Sequence, residues 1–366
     1  MFFARNLIPA AAALALAFGL TAPGARAQAA DYEALNAAIV ESYVLPRYAA
    51  FAQAAAALDA SLAQACADGR PTPAESAAAY HAAMDAWMAV QHLRFGPSEL
   101  FLRAERIEFW PDKRGTVGRH LAQMTSEPKL EALEPQAFAS GSVAVQGFPA
   151  LERLLFDSGD AVWATPFGCA LTLAIGRNLN SIASDLLSDW RDGEDAYAGT
   201  VLSAAAGNDR YFDAKEAALD FAKSLRGALL LVGDYKLGRP LGNAPEAART
   251  TRAESWRSAR SLRNIKINLQ AARALYEVGG ESSLSSLALA HPQGAELDEV
   301  IRAALERLNA AAEAQPDSLV AALEAPDGWA QLDALRVETR QLLELLGGPF
   351  SEVLGLPMGF NSYDGD

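Results

Sequence analysis

Apolar residues recur at three- and four-residue steps along most of this chain, and alternating strand-like runs are few, so the pattern predicts an all-α protein. Leu35, Ile39, Val40, Tyr43, Phe51, Ala55 and Leu58 place a helix over 31–67, with Pro46 as a kink or break. A second helix follows Pro71-Thr72-Pro73 and runs to about 93, with Thr72 as N-cap. Residues 98–146 lose the period and hold the loop Phe109-Trp110-Pro111-Asp112-Lys113-Arg114-Gly115, flanked by short helical pieces. Further helices are expected from 147 to about 157 and over 166–190, 211–233, 252–277, 295–314 and 328–346. Gly279-Gly280 and Gly347-Gly348-Pro349 read as stops.

The polar, Gly-rich stretch 191–208 divides this pattern into two helical-bundle-like domains, 28–200 and 201–366. Residues 1–27 have the form of a secretory signal peptide. Arg5 precedes an apolar run from Leu7 to Leu20, and Ala25-Arg26-Ala27 is a small-x-small cleavage site near Ala27. That run is short for a membrane span, and no later stretch approaches ~18 apolar residues, so the mature chain is expected to carry no integral membrane segment. The expected location is the periplasm or cell envelope. An even pair of cysteines in an oxidising compartment favours one disulfide, Cys66–Cys169, joining the first helix to a later one; two buried thiols are the alternative.

Formal net charge is −14, and losing the leader removes two arginines and no acids. Nucleic acid and anionic membrane are therefore poor partners. The sequence has no Gly-rich phosphate loop, no Gly-x-Ser-x-Gly elbow, no Cys-x-x-Cys pair and no His-Glu-x-x-His string. Nitrogen ligands are scarce, since the histidines are His81, His92, His120 and His291.

Gly147-Phe148-Pro149-Ala150-Leu151-Glu152 resembles the Gly-x-His-x-x-Glu signature of the imelysin-like proteins. His92–Pro97, Phe109–Gly115, Ala174–Leu179, Trp256–Ser258, Ser261–Ile265 and Gly359–Asp366 are similar to further landmarks of that family, in order along nearly the whole mature chain. The resemblance implies an all-helical envelope protein with two bundle-like domains and a site between them. Some members of the family are proposed metallopeptidases, and others are tied to iron uptake. This chain departs from the signature at Pro149, which stands where the His would be and has no lone pair to offer a metal. Proline suits a first helical turn, where its missing N–H has no intrahelical acceptor anyway.

The resemblance therefore implies a non-catalytic ligand-binding or accessory component linked to iron uptake, with envelope iron-uptake components as partners. Its first rival is a metallopeptidase that uses Glu152 with a relocated His, such as His92. Its second is an envelope interaction scaffold. The residues themselves assign no cofactor; iron or zinc enters only through the family. Glu152 fits a cleft role or a buried ion pair with a loop arginine such as Arg114. His92, at a helix end, fits a cap on the last carbonyls or a ligand contact. Trp110, Asp112 and Arg114 suit either a polar ligand or a self-locked loop.

Two polar stripes complete the candidates. Arg177, Asn178, Ser181 and Asp185 recur on one helix; Arg257, Arg260 or Ser261, Asn264 and Asn268 recur on another, beside Arg263. Each stripe is either a solvated amphipathic face or, if the two faces meet, a hydrogen-bonding pocket wall.

Overall fold

Alanine- and leucine-rich segments form the helices the period predicts, and no strand occurs among the described residues, which are 31–67, 73–157 and 165–355 of a computed structural model. The leader, Thr72 and the 359–366 landmark lie outside them. The main helices are α1 (Tyr32–Ile39), α2 (Leu45–Ala67), α3 (Pro73–Met88), α4 (Thr116–Ser126), α5 (Phe148–Glu152), α6 (Pro166–Arg191), α7 (Ala214–Leu230), α8 (Ser261–Glu277), α9 (Gly294–Glu313) and α10 (Gly328–Leu345).

The long helices α2 and α6 pack antiparallel. Tyr48 stacks on Trp190 at one end, Asn180 Nδ2 donates to Asp59 Oδ2 at 3.0 Å near the middle, and Cys66 is bonded to Cys169 at the other end. Gly176 lets the helices close, because a Cβ there would sit 2.7 Å from Leu62 Cδ1. The disulfide spans 103 residues of sequence. In the chain-entropy picture, a loop of that size restricts the unfolded chain by roughly 4–5 kcal/mol.

Helix α1 crosses from this pair to the second half of the chain. Asn36 Nδ2 donates to the Ala214 carbonyl at 2.8 Å, and Tyr32 donates to the Leu354 carbonyl at 3.0 Å. The buried apolar residues of both halves form one contiguous cluster. Residues 191–208 are not bare linker, since they hold helix Tyr197–Leu202, whose Tyr197 ring packs edge-on to Trp190.

Three local differences from the sequence pattern have physical reasons. The Pro46 kink is taken up by a π-helical turn, Val40–Val44, because proline cannot donate to the preceding turn. Gly347-Gly348-Pro349 does not stop the chain: a π-helical turn, Leu346–Phe350, leads into helix Ser351–Leu354, and Phe350 is fully buried against Tyr276. Tertiary packing outweighs the local breakers here. Finally, α8 starts at Ser261 rather than near 252. Residues 253–260 form an irregular loop with Ser255 at φ 49° and Ala259 at φ 55°. Such left-handed non-glycine positions cost on the order of 1–2 kcal/mol each, so something must hold the loop.

Candidate functional site

What holds that loop is Glu152. Its Oε1 accepts from the Ser258 amide at 2.9 Å and from the Ser258 hydroxyl at 2.7 Å, between the two strained positions. Glu152 is 5% exposed, and burial pushes its carboxyl up against the pull of the Ser258 hydrogen bonds. Of the two readings of Glu152, the ion pair with Arg114 does not form, and Arg114 is exposed. Gly147, at the head of α5, is required for a different reason. A Cβ there would meet the Ile107 carbonyl oxygen at 2.1 Å and that of Arg106 at 2.3 Å. The segment 147–152 thus rests on residues 106–107 at one end and grips the 253–260 loop at the other. Pro149 lies between, in the first turn of α5.

These two fastened segments frame a cavity of about 600 Å³. One wall is Glu108 to Lys113, the other is Thr251 to Arg257, and Pro149, Glu152 and Arg153 join them. Trp110 and Trp256 supply half-buried aromatic surface. The Trp110–Pro111 peptide is cis. Asp112 serves the loop: its carboxylate accepts from the Thr116 amide at 2.8 Å, the Val117 amide at 2.9 Å and the Arg114 amide at 3.3 Å, capping α4. Burial raises the Asp112 pKa, but these amides outweigh it and leave it below the ordinary value.

The buried edge of the cavity is a chain of polar groups. Lys236 Nζ lies 2.6 Å from Glu254 Oε2 and donates to Gln91 Oε1 at 2.9 Å. Gln91 Nε2 and Trp87 Nε1 donate to Glu108 Oε2 at 2.6 and 2.7 Å. Glu108 has its pKa raised well above the carboxylate range, first by burial and then by the Glu254 charge. Asn264, fully buried, donates to Glu254 Oε2 at 2.6 Å and accepts from Arg260 Nε at 2.8 Å. Arg260 and Arg263 both bind Asp85 of α3.

The α8 stripe is therefore a buried hydrogen-bonding wall behind the cavity, and Arg257, displaced onto the loop, lines the cavity itself. The α6 stripe is different. Arg177, Ser181 and Asp185 are exposed, and none of them lines the cavity. Asn178 is buried in a separate lock, accepting from Arg106 at 2.8 Å and donating to the Gln146 carbonyl at 3.0 Å. The two stripes do not face each other.

His92 is 1% exposed and also lies off the cavity. Tyr43 donates to the Ala271 carbonyl at 2.8 Å, so its oxygen accepts from His92 Nε2, also at 2.8 Å. Burial, and then the Arg47 charge, pull the His92 pKa down to about 3. Its ring is thus neutral and its Nε2 is engaged by Tyr43. Among the described residues, no group of three or more His, Cys, Asp or Glu side chains has the spacing to hold a metal ion.

Glu108, Arg153, Lys236, Arg239, Arg252 and Glu254 were not singled out by sequence pattern, and Ser258 entered only as the end of the Trp256–Ser258 landmark. Glu108 carried a faint signal, set directly between Ile107 and Phe109; Lys236 carried little, with Asp234 and Arg239 close by. Glu254 carried none, and the role of Ser258 was hidden, because a helix was expected where the loop runs.

Fold and cavity define an all-helical protein with a polar, aromatic-lined cleft clamped by a buried glutamate. The chain belongs to the imelysin family: the family model Imelysin matches residues 44–346. Solved structures agree on the fold. An imelysin-like protein from Psychrobacter arcticum 273-4 superposes with a TM-score of 0.71 at 19% identity, over 90% of this chain and 98% of that one. A putative iron-regulated protein A precursor from Parabacteroides distasonis ATCC 8503 gives 0.72 at 17% identity, over 86% and 94%. No curated protein matches the sequence.

Proposed function

We propose that this is an exported, non-catalytic imelysin-like protein that holds a small ligand in the cavity, as an accessory component of envelope iron uptake. One observation carries the reading. The cavity wall presents Pro149 where the family signature has its histidine, while the Glu152 oxygen that grips the loop is committed to Ser258. A catalytic zinc site normally needs three protein ligands and an open position. What remains is a concave, largely pre-formed site with a few convergent polar groups. Export is supported by the Cys66–Cys169 bridge, and no helix among the described residues is long and apolar enough to cross a membrane. The link to iron rests on the family and on the iron-regulated precursor that shares the fold. The division into 28–200 and 201–366 is supported by the cavity drawing its walls from both sides of residues 191–208.

A scaffold role has its own observation. Leu100, Phe101 and Leu102 are consecutive and exposed, with Phe101 and Leu102 in left-handed conformations that present them to solvent.

A thermal-shift screen of the mature protein against iron, zinc, copper and small chelates tests the reading, since a bound ligand raises apparent stability by mass action. The expected result is stabilisation by a chelate or organic ligand that Trp110→Ala removes. Stabilisation by bare zinc together with peptide hydrolysis would overturn it.

A further inference from the structure

Two carboxyls and the Lys236 ammonium meet at the buried edge of the cavity, and their hydrogen bonds lack a donor. Glu108 and Glu254 both line the cavity, are 7% and 2% exposed, and lie within hydrogen-bonding reach of each other. Glu108 Oε2 accepts from Trp87 and Gln91, and Glu254 Oε2 accepts from Lys236 and Asn264. Glu254 Oε1 is buried and meets no donor among the described residues. Two ionised carboxylates have no hydrogen to place between them. They would also leave a second negative charge in a dry site where Lys236 balances one. A buried charge without a partner is costly enough that the group takes up a proton instead.

The surrounding charges act in the same direction. Burial, and then the Glu254 charge, raise the Glu108 pKa against the pull of Lys236 and of the Trp87 hydrogen bond. Glu254 comes from the strained loop and Lys236 from the π-helical turn Leu231–Gly238. On α3, burial first and then the Glu152 charge raise the Tyr80 hydroxyl, and Glu108 acts on it too. Glu152, Arg153, Arg239 and Arg252 line the same cavity. Glu108 and Glu254 stand on opposite walls, the 108–113 segment and the 251–257 loop, so the contact between them closes the cavity along its buried edge.

We propose that one proton resides between Glu108 and Glu254 and latches the two cavity walls together. The pair titrates as a unit. With the proton in place, one carboxyl donates to the other, and the cluster with Lys236 is neutral. When the proton leaves, to solvent through the cavity, two carboxylates face each other beside one ammonium. The loop, already strained at Ser255 and Ala259, is then pushed from the opposite wall. Unfolded glutamate loses its proton near 4.5, and the folded pKa lies above that. The latch's contribution is therefore complete below the unfolded value and is lost as pH rises through the folded one. It operates whether or not the cavity holds a ligand.

Infrared spectra, denaturant melts and amide exchange of the mature protein test the latch against Glu108→Gln, which keeps a donor facing Glu254 and cannot titrate. At pH 6 the unmodified protein shows a carboxylic-acid C=O band, shifted in deuterium oxide, that the variant lacks. As pH rises from 5 to 8, the unfolding constant of the unmodified protein grows relative to that of the variant, at a limiting rate of about tenfold per pH unit. Over the same range, amide exchange of residues 253–260 quickens severalfold relative to the variant at equal pH, where intrinsic exchange cancels. If Glu108→Gln does not fold, Glu254→Gln leaves Glu108 and Lys236 as an evenly matched pair and removes both the band and the pH slope. An acid band that is the same in the unmodified protein and the variants overturns the proposal, as do parallel pH dependences of stability. Band and slope without quickened exchange overturn the latch as well.

Discussion

Asn178 on α6 and Asn264 on α8 sit at the centres of polar stripes that share composition and spacing, and their surroundings differ completely. Around Asn264, the neighbours Arg260, Ser261 and Asn268 are buried, and the stripe is bound into Glu254, Asp85 and the Met88 carbonyl. Around Asn178, the neighbours Arg177, Ser181 and Asp185 face solvent. A polar stripe opposite an apolar face is ordinarily the wet side of an amphipathic helix. It becomes an interior wall only when a second charged layer arrives to satisfy it, and on α8 that layer comes from three other segments: Glu254 from the strained loop just before it, Lys236 from the π-helical turn Leu231–Gly238, and Asp85 from α3. Burial of polar groups is costly unless every member is paired. The α8 wall is accordingly the more fragile of the two.

That difference can be broken most severely at Lys236. With Lys236→Met, Glu254 keeps Asn264 but loses its cation in a site where both side chains are almost fully buried. Breaking such a pair from one side costs about 3–5 kcal/mol. The urea midpoint at pH 7 should fall accordingly. An unchanged midpoint would mean that the Lys236–Glu254 pair does not hold the α8 wall.

Acid itself probes the deep end of the α8 side, where His92 reaches Ala271 through Tyr43. An unfolded histidine takes its proton near 6.5, whereas the folded one waits until about 3. The folded pKa is depressed, so this group's contribution is complete above the unfolded value and is lost as pH falls from there towards the folded value. The limiting slope is about 1.4 kcal/mol per pH unit. His92→Gln should therefore lose less stability than the unmodified protein between pH 7 and pH 5, measured by denaturant melts at both. Equal losses would contradict a buried, neutral His92.

A matched set of stripe variants sharpens the contrast at smaller cost. Asn264→Ala takes one buried hydrogen bond each from Glu254 and Arg260, which keep Lys236 and Asp85, and should cost about 2–3 kcal/mol; Asn178→Ala takes one from the partly exposed Arg106, which keeps Gln146, and should cost about 1–2 kcal/mol. Arg177→Ala should stay within about 0.5 kcal/mol, as exposed substitutions do. Melting temperatures in that order support the account, and a large effect at Arg177 would break it.

Much of the fold was legible because helical period survives in sequence wherever an apolar face is buried. The α2, α6, α9 and α10 spans follow that rule, the Cys66–Cys169 bridge was legible from the even cysteine pair, and the antiparallel pairing of α2 and α6 was not in the pattern. The site was less legible, for a physical reason that Glu254 and Ser258 make plain. Their segment has helical composition, and what holds it out of helix is Glu152, 106 residues before Ser258, which accepts from it, together with Asn264 on the helix that follows. Trp110, Arg257 and the Gly147–Glu152 segment did converge, since loop aromatics and the family landmarks pointed to them. Arg114 and Arg177 did not, because nothing in a local pattern says which way an arginine on a loop or a helix rim will turn.

The central claim is that Gly147–Glu152 works as a structural clamp, with Glu152 engaged by Ser258 and no histidine beside it to complete a metal site. Metal analysis of the purified mature protein after dialysis tests this most directly, run beside Glu152→Gln. The account predicts no stoichiometric zinc or iron in either protein, and a lowered melting temperature in the variant as the 253–260 loop loosens. One tightly held ion per chain, lost in Glu152→Gln, would contradict it.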